Sequence, residues 1–323
     1  MRRYRLVVTS QSRYEALIAR ARAGESILID GATGSECIRR GAPVLDNGWS
    51  GGAVLSDPDI VRQVHLDYLQ LGADFIATNT FSTGRNVLRD AGAEATFEQC
   101  NRRAVEIALD ARAAVGPDAN QAVVAGGISN WSFTDKRPSL DELCTNTIEQ
   151  AEIMRSAGVD MLSLEMMVDV PQMQATLDAV TSVGLPVWVG FSIGPEEGHP
   201  ESELPADIPL RDDGLLADAV QVAAGYDCVD AMGIMHTDVR LTARGVEMIA
   251  SLWDGPIAAY AHAAQQVDDT MTFDATISPV DYAAYVPRWA AAGATMFGGC
   301  CGIGPDHIVE VARTLGLTGS SGG

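Results

Sequence analysis

Residues 26–33 read SILIDGAT, a short β-rich apolar run that breaks into an Asp-Gly turn. Seven similar runs follow: 73–80 (ADFIATNT), 122–129 (AVVAGGIS), 159–166 (VDMLSLEM), 186–193 (PVWVGFSI), 228–235 (CVDAMGIM), 255–262 (GPIAAYAH) and 294–301 (ATMFGGCC). Near-continuous apolar runs of this length fit parallel strands covered on both faces. Helix signals stand between them. Asp57-Pro58 opens a segment whose Ile60, Val64 and Leu71 keep helical spacing and which Gly72 ends. Ser139 and Glu142 form a capping box before 144–157, closed by Gly158. Asp169-Val170-Pro171 starts a helix that stops at Gly184, and Gly304-Pro305 starts the last. Strand and helix alternate eight times, the count of a closed barrel rather than an open sheet. The fold class expected is α/β, a single (β/α)8 TIM barrel over residues 1–317, with 318–323 a disordered tail. The proline-rich acidic stretch 194–214 reads as an irregular loop.

The composition supports that reading and narrows the partners. With 323 residues, 47% of them hydrophobic, the chain can bury one large core. Its formal charge is −21, and Lys136 is the only lysine among 22 basic residues. Such a surface repels polyanions, so nucleic acid and anionic membranes are excluded as partners. No apolar stretch is long enough to span a bilayer. The N-terminus is basic but lacks the long apolar core of a signal peptide, and reads as a short leader into a first helix. A cytoplasmic, reducing location is expected, with Cys37, Cys100, Cys144, Cys228, Cys300 and Cys301 free or metal-bound.

In such a barrel, functional groups gather at the C-terminal ends of the strands. Those ends carry Asp30-Gly31, Thr78-Asn79-Thr80, Gly126-Gly127, Glu165-Met166, Met235-His236, His262 and Gly298-Gly299-Cys300-Cys301-Gly302. Adjacent cysteines are the sharpest signal. Neighbours on a strand point to opposite faces, so both reach one metal only if the backbone bends. Gly298, Gly299 and Gly302 allow that bend. The bland alternative is two buried cysteines in a small-residue strand. His236 and His262, at neighbouring strand ends, favour the metal. Catalytic zinc takes three such ligands and keeps a fourth position open.

Four stretches carry a resemblance: DGATGSE (30–36), SDPDIVRQVHLDYLQLGADFIATNTFSTG (56–84), LSLEMM (162–167) and GGCCGIGPDHI (298–308). They resemble the homocysteine S-methyltransferase family, of the betaine–homocysteine type. The second and last are similar to the homocysteine-binding module of cobalamin-dependent methionine synthase. The resemblance implies a zinc barrel that binds homocysteine through its sulfur, with Asp30 and Glu165 holding the ammonium group. Gly31, Thr78 and Asn79 are candidate substrate contacts beside them, although Thr78 and Asn79 can equally serve to bond the barrel rim. The chain also departs from the family. Where the family supplies a third zinc-binding cysteine after strand six, this sequence has His236. Where the family shows Tyr-Pro-Asn-Ala-Gly after strand seven, it has Tyr260-Ala261-His262-Ala263-Ala264. His262 is therefore a ligand, a neighbour of the ligands or a pocket residue. The turn Gly127–Trp131 also differs, which puts the donor side of the pocket in question.

The expected activity is zinc-dependent methyl transfer from an onium-type or carrier-bound donor to a small thiol, homocysteine first. A thiol is mostly protonated at neutral pH and loses its proton on zinc, so no general base is needed. Two rivals stand beside this reading. One is a zinc-dependent barrel hydrolase with water in the open position. The other is a non-catalytic or carrier-dependent thiol-binding component that takes its methyl group from a carrier protein in trans. A homo-oligomer is a separate candidate assembly. His65 reads as a surface or outer-layer residue and His307 as structural. His199 reaches the pocket only if the acidic loop folds over it. Cys37, Cys100, Cys144 and Cys228 read as small buried hydrophobes.

Overall fold

A computed structural model of the chain describes residues 10–116, 121–134, 136–194, 205–267 and 272–317. The leader, His199 and the segment 318–323 lie outside the described residues. Ten strands occur in chain order: β1 (Ile27–Leu28), β2 (Phe75–Ala77), β3 (Val123–Ser129), β4 (Met161–Met167), β5 (Val187–Phe191), β6 (Val229–Asp238), β7 (Ile257–His262), β8 (Ala264–Val267), β9 (Thr272–Ala275) and β10 (Met296–Phe297). Eight of them form one parallel sheet ordered β1-β10-β7-β6-β5-β4-β3-β2. A parallel bridge between Ile29 and Phe75 joins its two edges, so the sheet closes into the expected (β/α)8 barrel. The antiparallel hairpin β8–β9 is an insertion after β7 that the sequence reading did not anticipate.

The helices begin and end where the local chemistry places them. Pro58–Gln70 starts on its proline, and Gly72 beyond it turns left-handed with φ 90°. Ser139 and Glu142 make both bonds of the capping box for Leu140–Ala157. The Asp169 side chain accepts from the Gln172 amide at the start of Val170–Thr181.

Two cores result. Outward strand residues pack against the surrounding helices. Inward residues such as Ile27, Phe75, Met161, Trp188 and Met296 fill the barrel, and Tyr14, Leu17 and Ile18 of the helix Ser10–Arg22 plug its N-terminal end. The opposite end, where the strands run out, stays open. His65 belongs to the outer helical layer but not to the surface, being fully buried with neither ring nitrogen hydrogen-bonded. Its helix packs on the helix Phe97–Ala114 as well as on the barrel, and His65 lies on the buried stripe with Val61, Val64, Tyr68 and Leu69. Cys37 and Cys100 are buried, whereas Cys144 and Cys228 are only half-buried.

Candidate metal centre

The strand β10 ends at Phe297, and the chain then turns through Gly298–Gly302. The Ile303 amide donates to the Cys300 carbonyl over 3.0 Å, and Gly302 takes φ 80°, where a side chain would be strained. A Cβ there would also sit 2.7 Å from the Ala263 carbonyl oxygen. Freed from the strand's alternation, the two sulfurs come to 3.9 Å of each other.

β6 delivers the third group. Ser192 and Thr237 hydroxyls both donate to the Met235 carbonyl at 2.9 Å, pinning the residue ahead of His236. The register with β7 shifts between Met235 and Asp238, and His236 itself takes φ 44°. Asp238 then caps the helix Val239–Leu252 by accepting from the Arg240 amide. The result puts His236 Nδ1 3.5 Å from Cys300 Sγ and 3.7 Å from Cys301 Sγ. Among the described residues, these three are the group of histidine, cysteine and carboxylate side chains close enough to share a metal.

These distances can be tested against a zinc ion. Bonds of about 2.3 Å to sulfur and about 2.0–2.1 Å to nitrogen, at tetrahedral angles, separate two sulfurs by about 3.8 Å and sulfur from nitrogen by about 3.6 Å. The observed edges are 3.9, 3.5 and 3.7 Å, so the donor set fits. Burial holds the His236 imidazole below the usual histidine range, leaving it neutral as a ligand must be. Hydrogen bonding from Cys300, together with His236 and His262, holds the Cys301 thiol well below its usual range. The same sharing raises Cys300. His262 stands outside the trio. Its ring lies 4.6 Å from that of His236, centroid to centroid.

A cavity of about 220 Å³ opens over the cysteines at the C-terminal end of the barrel. Gly31, Thr78, Asn79, Glu165, His236, Cys300 and Cys301 all line it. Asp30 does not. It lies completely buried beneath, its carboxylate accepting from the Ala77 amide and the Tyr260 hydroxyl, both at 2.8 Å. Tyr260 is the group that reaches the cavity from that side. Burial pushes the Asp30 carboxyl up to about 7, against the pull of those two hydrogen bonds. Glu165 is lifted to about 8 by burial first, then by the charges of Asp30 and Cys301. The part of Glu165 that stays uncovered borders the cavity. It lies within a kink in β4, where the register slips between Leu164 and Met167 and the next residue, Met166, takes φ 58°. Gly127 makes room for it, since a Cβ there would lie 2.6 Å from Glu165 Oε1.

Thr78 and Asn79 spend their polar groups on the rim. Thr78 Oγ1 pairs with Thr80 Oγ1 at 2.8 Å and accepts from the Gly127 amide at 3.3 Å, while Asn79 Nδ2 donates to the Ser50 carbonyl at 3.0 Å. Sequence reasoning missed the outer wall of the cavity, built by Trp49, Phe81, Phe133 and Arg211. Trp131, in the turn that departs from the family, completes it. These residues come from separate loops and share no spacing; only the aromatic character of each turn hinted at them.

Fold and site together define a (β/α)8 barrel with a two-cysteine, one-histidine candidate metal centre at its strand ends. The homocysteine S-methyltransferase profile matches residues 27–315, and the chain belongs to that family. It is 26% identical to the selenocysteine methyltransferase of Astragalus bisulcatus, over 91% of this chain and 93% of that one. It is 26% identical to the homocysteine S-methyltransferase of Escherichia coli strain K12, over 88% and 94%. The metallated form of the E. coli homocysteine methyltransferase MmuM superposes with a TM-score of 0.74 at 25% identity, covering 90% of this chain and 96% of that one. The protein is accordingly an enzyme of the thiol S-methyltransferase class. Among the described residues, no helix is long and apolar enough to cross a membrane.

Proposed function

We propose that the protein moves a methyl group from an onium-type or carrier-bound donor to a small thiol, homocysteine first, at a zinc ion held by His236, Cys300 and Cys301. The observation that carries this reading is the match between the three ligand–ligand distances and the edges of a tetrahedral zinc site. When bound, zinc keeps a coordinated thiol deprotonated at neutral pH. His236 in place of a third thiolate raises the formal charge of the centre by one, which favours thiol ionisation and weakens the sulfur as a nucleophile.

The protein groups supply position and charge. Glu165, an acid held high by its surroundings, becomes a stable anion when a substrate ammonium pairs with it. Asp30 acts from below by fixing the Tyr260 hydroxyl. Trp49, Phe81, Trp131 and Phe133 line the cavity and surround a positively charged donor with aromatic groups. The acceptor sulfur's lone pair forms the new bond to the methyl carbon. The bond from methyl to the onium atom breaks with its electron pair on the leaving atom, so an anion and a cation become two neutral products. The thiol proton has already left to solvent. In-line alignment supplies most of the remaining barrier reduction.

The test is metal analysis of the protein purified without added zinc, followed by assay of homocysteine with sulfonium, quaternary ammonium and carrier-bound donors. About one zinc per chain and a methylated thiol are expected. Hydrolysis in place of methyl transfer, or no methylated thiol from any donor, contradicts the proposal.

A further inference from the structure

The turn that carries the cysteines passes through the peptide joining Gly298 to Gly299. Neither glycine can gain a side chain there. A Cβ on Gly298 would lie 2.5 Å from the Asp30 carbonyl oxygen, and one on Gly299 would lie 2.2 Å from Ile303 Cγ2. Two adjacent glycines leave this peptide with no side chain of its own to fix its orientation. It is held from outside, at both polar ends. The Gly299 amide donates to the Asp30 carbonyl at 3.1 Å, and the Gly298 carbonyl accepts from the Tyr282 hydroxyl at 2.7 Å. The same hydroxyl lies 3.2 Å from the Ala261 carbonyl oxygen, which accepts from the Cys300 amide at 2.8 Å.

Tyr282 is completely buried. It sits in the short helix Pro279–Ala283, which Ser278 caps by accepting from the Asp281 amide. Its ring meets those of Trp289 and His307 edge-on, with centroids 5.4 and 5.9 Å away. His307 is fixed in turn by a 3.1 Å hydrogen bond between its Nε2 and the Ile277 carbonyl. A phenylalanine would fill the same space, so packing alone does not call for the hydroxyl. Burying that hydroxyl is costly unless it is hydrogen-bonded, and both of its bonds run to the backbone around Cys300.

From this geometry we infer that Tyr282 is a positioning residue of the metal centre. Its hydroxyl clamps the Gly298–Gly299 peptide and so fixes the backbone that aims Cys300 Sγ toward Cys301 and His236. It acts through the main chain, from behind the cysteine turn, and is not among the residues that line the cavity. Without the clamp the diglycine peptide gains freedom in the metal-free protein, and metal binding must then restore the lost order. The inference rests on the reading of His236, Cys300 and Cys301 as a metal centre and adds a residue that this reading does not contain.

The experiment measures zinc affinity by chelator competition, and the absorption spectrum of the protein loaded with cobalt(II) in place of zinc. The parent is compared with Tyr282→Phe, with Tyr14→Phe and with a protein carrying p-aminophenylalanine at position 282. Tyr282→Phe should bind zinc about tenfold more weakly, the low end of what a lost partner of a metal ligand costs. Its thiolate-to-cobalt charge-transfer band should shift or weaken. The aminophenyl group returns a weaker donor to the same place and should recover part of both. Tyr14→Phe removes a buried hydroxyl at the far end of the barrel and reads what a merely structural loss does. It should lower the thermal midpoint and leave zinc affinity and the cobalt spectrum with the parent's. A Tyr282→Phe protein that keeps the parent's zinc affinity and cobalt spectrum overturns the assignment, whatever its thermal midpoint. So does an equal loss of affinity in Tyr14→Phe. Should Tyr282→Phe fail to fold, the aminophenyl protein decides: an affinity below the parent's supports the clamp, and an equal one overturns it. A parent that binds neither metal overturns the metal-centre reading and the clamp together, whereas metal held equally by parent and variants removes the clamp alone.

Discussion

At the N-terminal end of the barrel the large polar groups that plug the core are paired. Tyr14 donates to Asp230 at 2.9 Å and accepts from Trp188 Nε1 at 3.2 Å, and Trp188 stacks on Phe75 with centroids 4.8 Å apart. Arg22 pairs with Asp230 at 2.5 Å and Arg20 with Asp74 at 2.6 Å. The C-terminal end does the reverse. Met166 and His236 sit at positive φ, two strands slip register, and two carboxyls are held far above their usual range. Non-glycine residues in that conformation cost about 1–3 kcal/mol each, and they persist only where the surrounding structure enforces them. The closed end is thus held by paired groups, while strained backbone and carboxyls kept protonated by burial stand at the end where a ligand must be bound.

The contrast can be broken most sharply at the cysteines. Cys301→Ala should lower zinc affinity by at least about 100-fold and abolish methyl transfer, since removing even a partner of a ligand costs about 10–100-fold. Far-ultraviolet circular dichroism should stay with the parent, because the closed end is untouched. A variant that keeps its zinc in a chelator series would remove Cys301 from the site. Next comes His236→Ala, expected to weaken zinc by about 10–100-fold or more. His236→Cys should retain the metal because a thiolate replaces the imidazole. Equal zinc retention by parent and His236→Ala would turn attention to His262.

Glu165→Gln probes the charge. It should raise the KM for homocysteine by about tenfold, as expected when an ion pair becomes a neutral contact. In metal-free protein it also tests the pH linkage. The folded carboxyl holds its proton up to about 8, while the unfolded value is 4.5. The stability it contributes is therefore complete below about 4.5 and lost by about 8. The amide stays neutral throughout, so Glu165→Gln should gain thermal midpoint over the parent as pH rises across that window. Parallel curves would show that Glu165 is not held protonated. The smallest effect belongs to the closed end. Tyr14→Phe should cost about 1–3 kcal/mol of stability by leaving the buried Trp188 Nε1 without its acceptor, while Asp230 keeps Arg22 and zinc affinity stays unchanged.

Much of this was legible in the sequence. The eight apolar runs located all eight barrel strands, because parallel strands buried on both faces need unbroken apolar stretches. Their lengths were not legible. β1 and β10 shrink to two residues each, since the chain leaves the sheet early to build the cavity. The hairpin β8–β9 was hidden because AQQV and TFDA lack both a long apolar run and an Asn-Gly turn. At the site, the cysteines and His236 stood out by residue type, and Asp30 by its place at a strand end. That Asp30 lies beneath Tyr260 depends on how far one strand end sits below another, which no local pattern encodes. The positive φ at Met166 was equally hidden, since methionine does not signal a left-handed backbone, and at His236 the residue type is only a weak signal of one. Trp49, Phe81, Trp131, Phe133 and Arg211 meet only through the fold.

Zinc-edge X-ray absorption on the loaded protein, before and after homocysteine, tests the central assignment most directly. The ligand set proposed for His236, Cys300 and Cys301 predicts two sulfurs at about 2.3 Å and at least one nitrogen at about 2.0–2.1 Å. It further predicts a third sulfur once homocysteine is added. A shell that begins without sulfur, or one whose sulfur number does not change with homocysteine, would contradict the account.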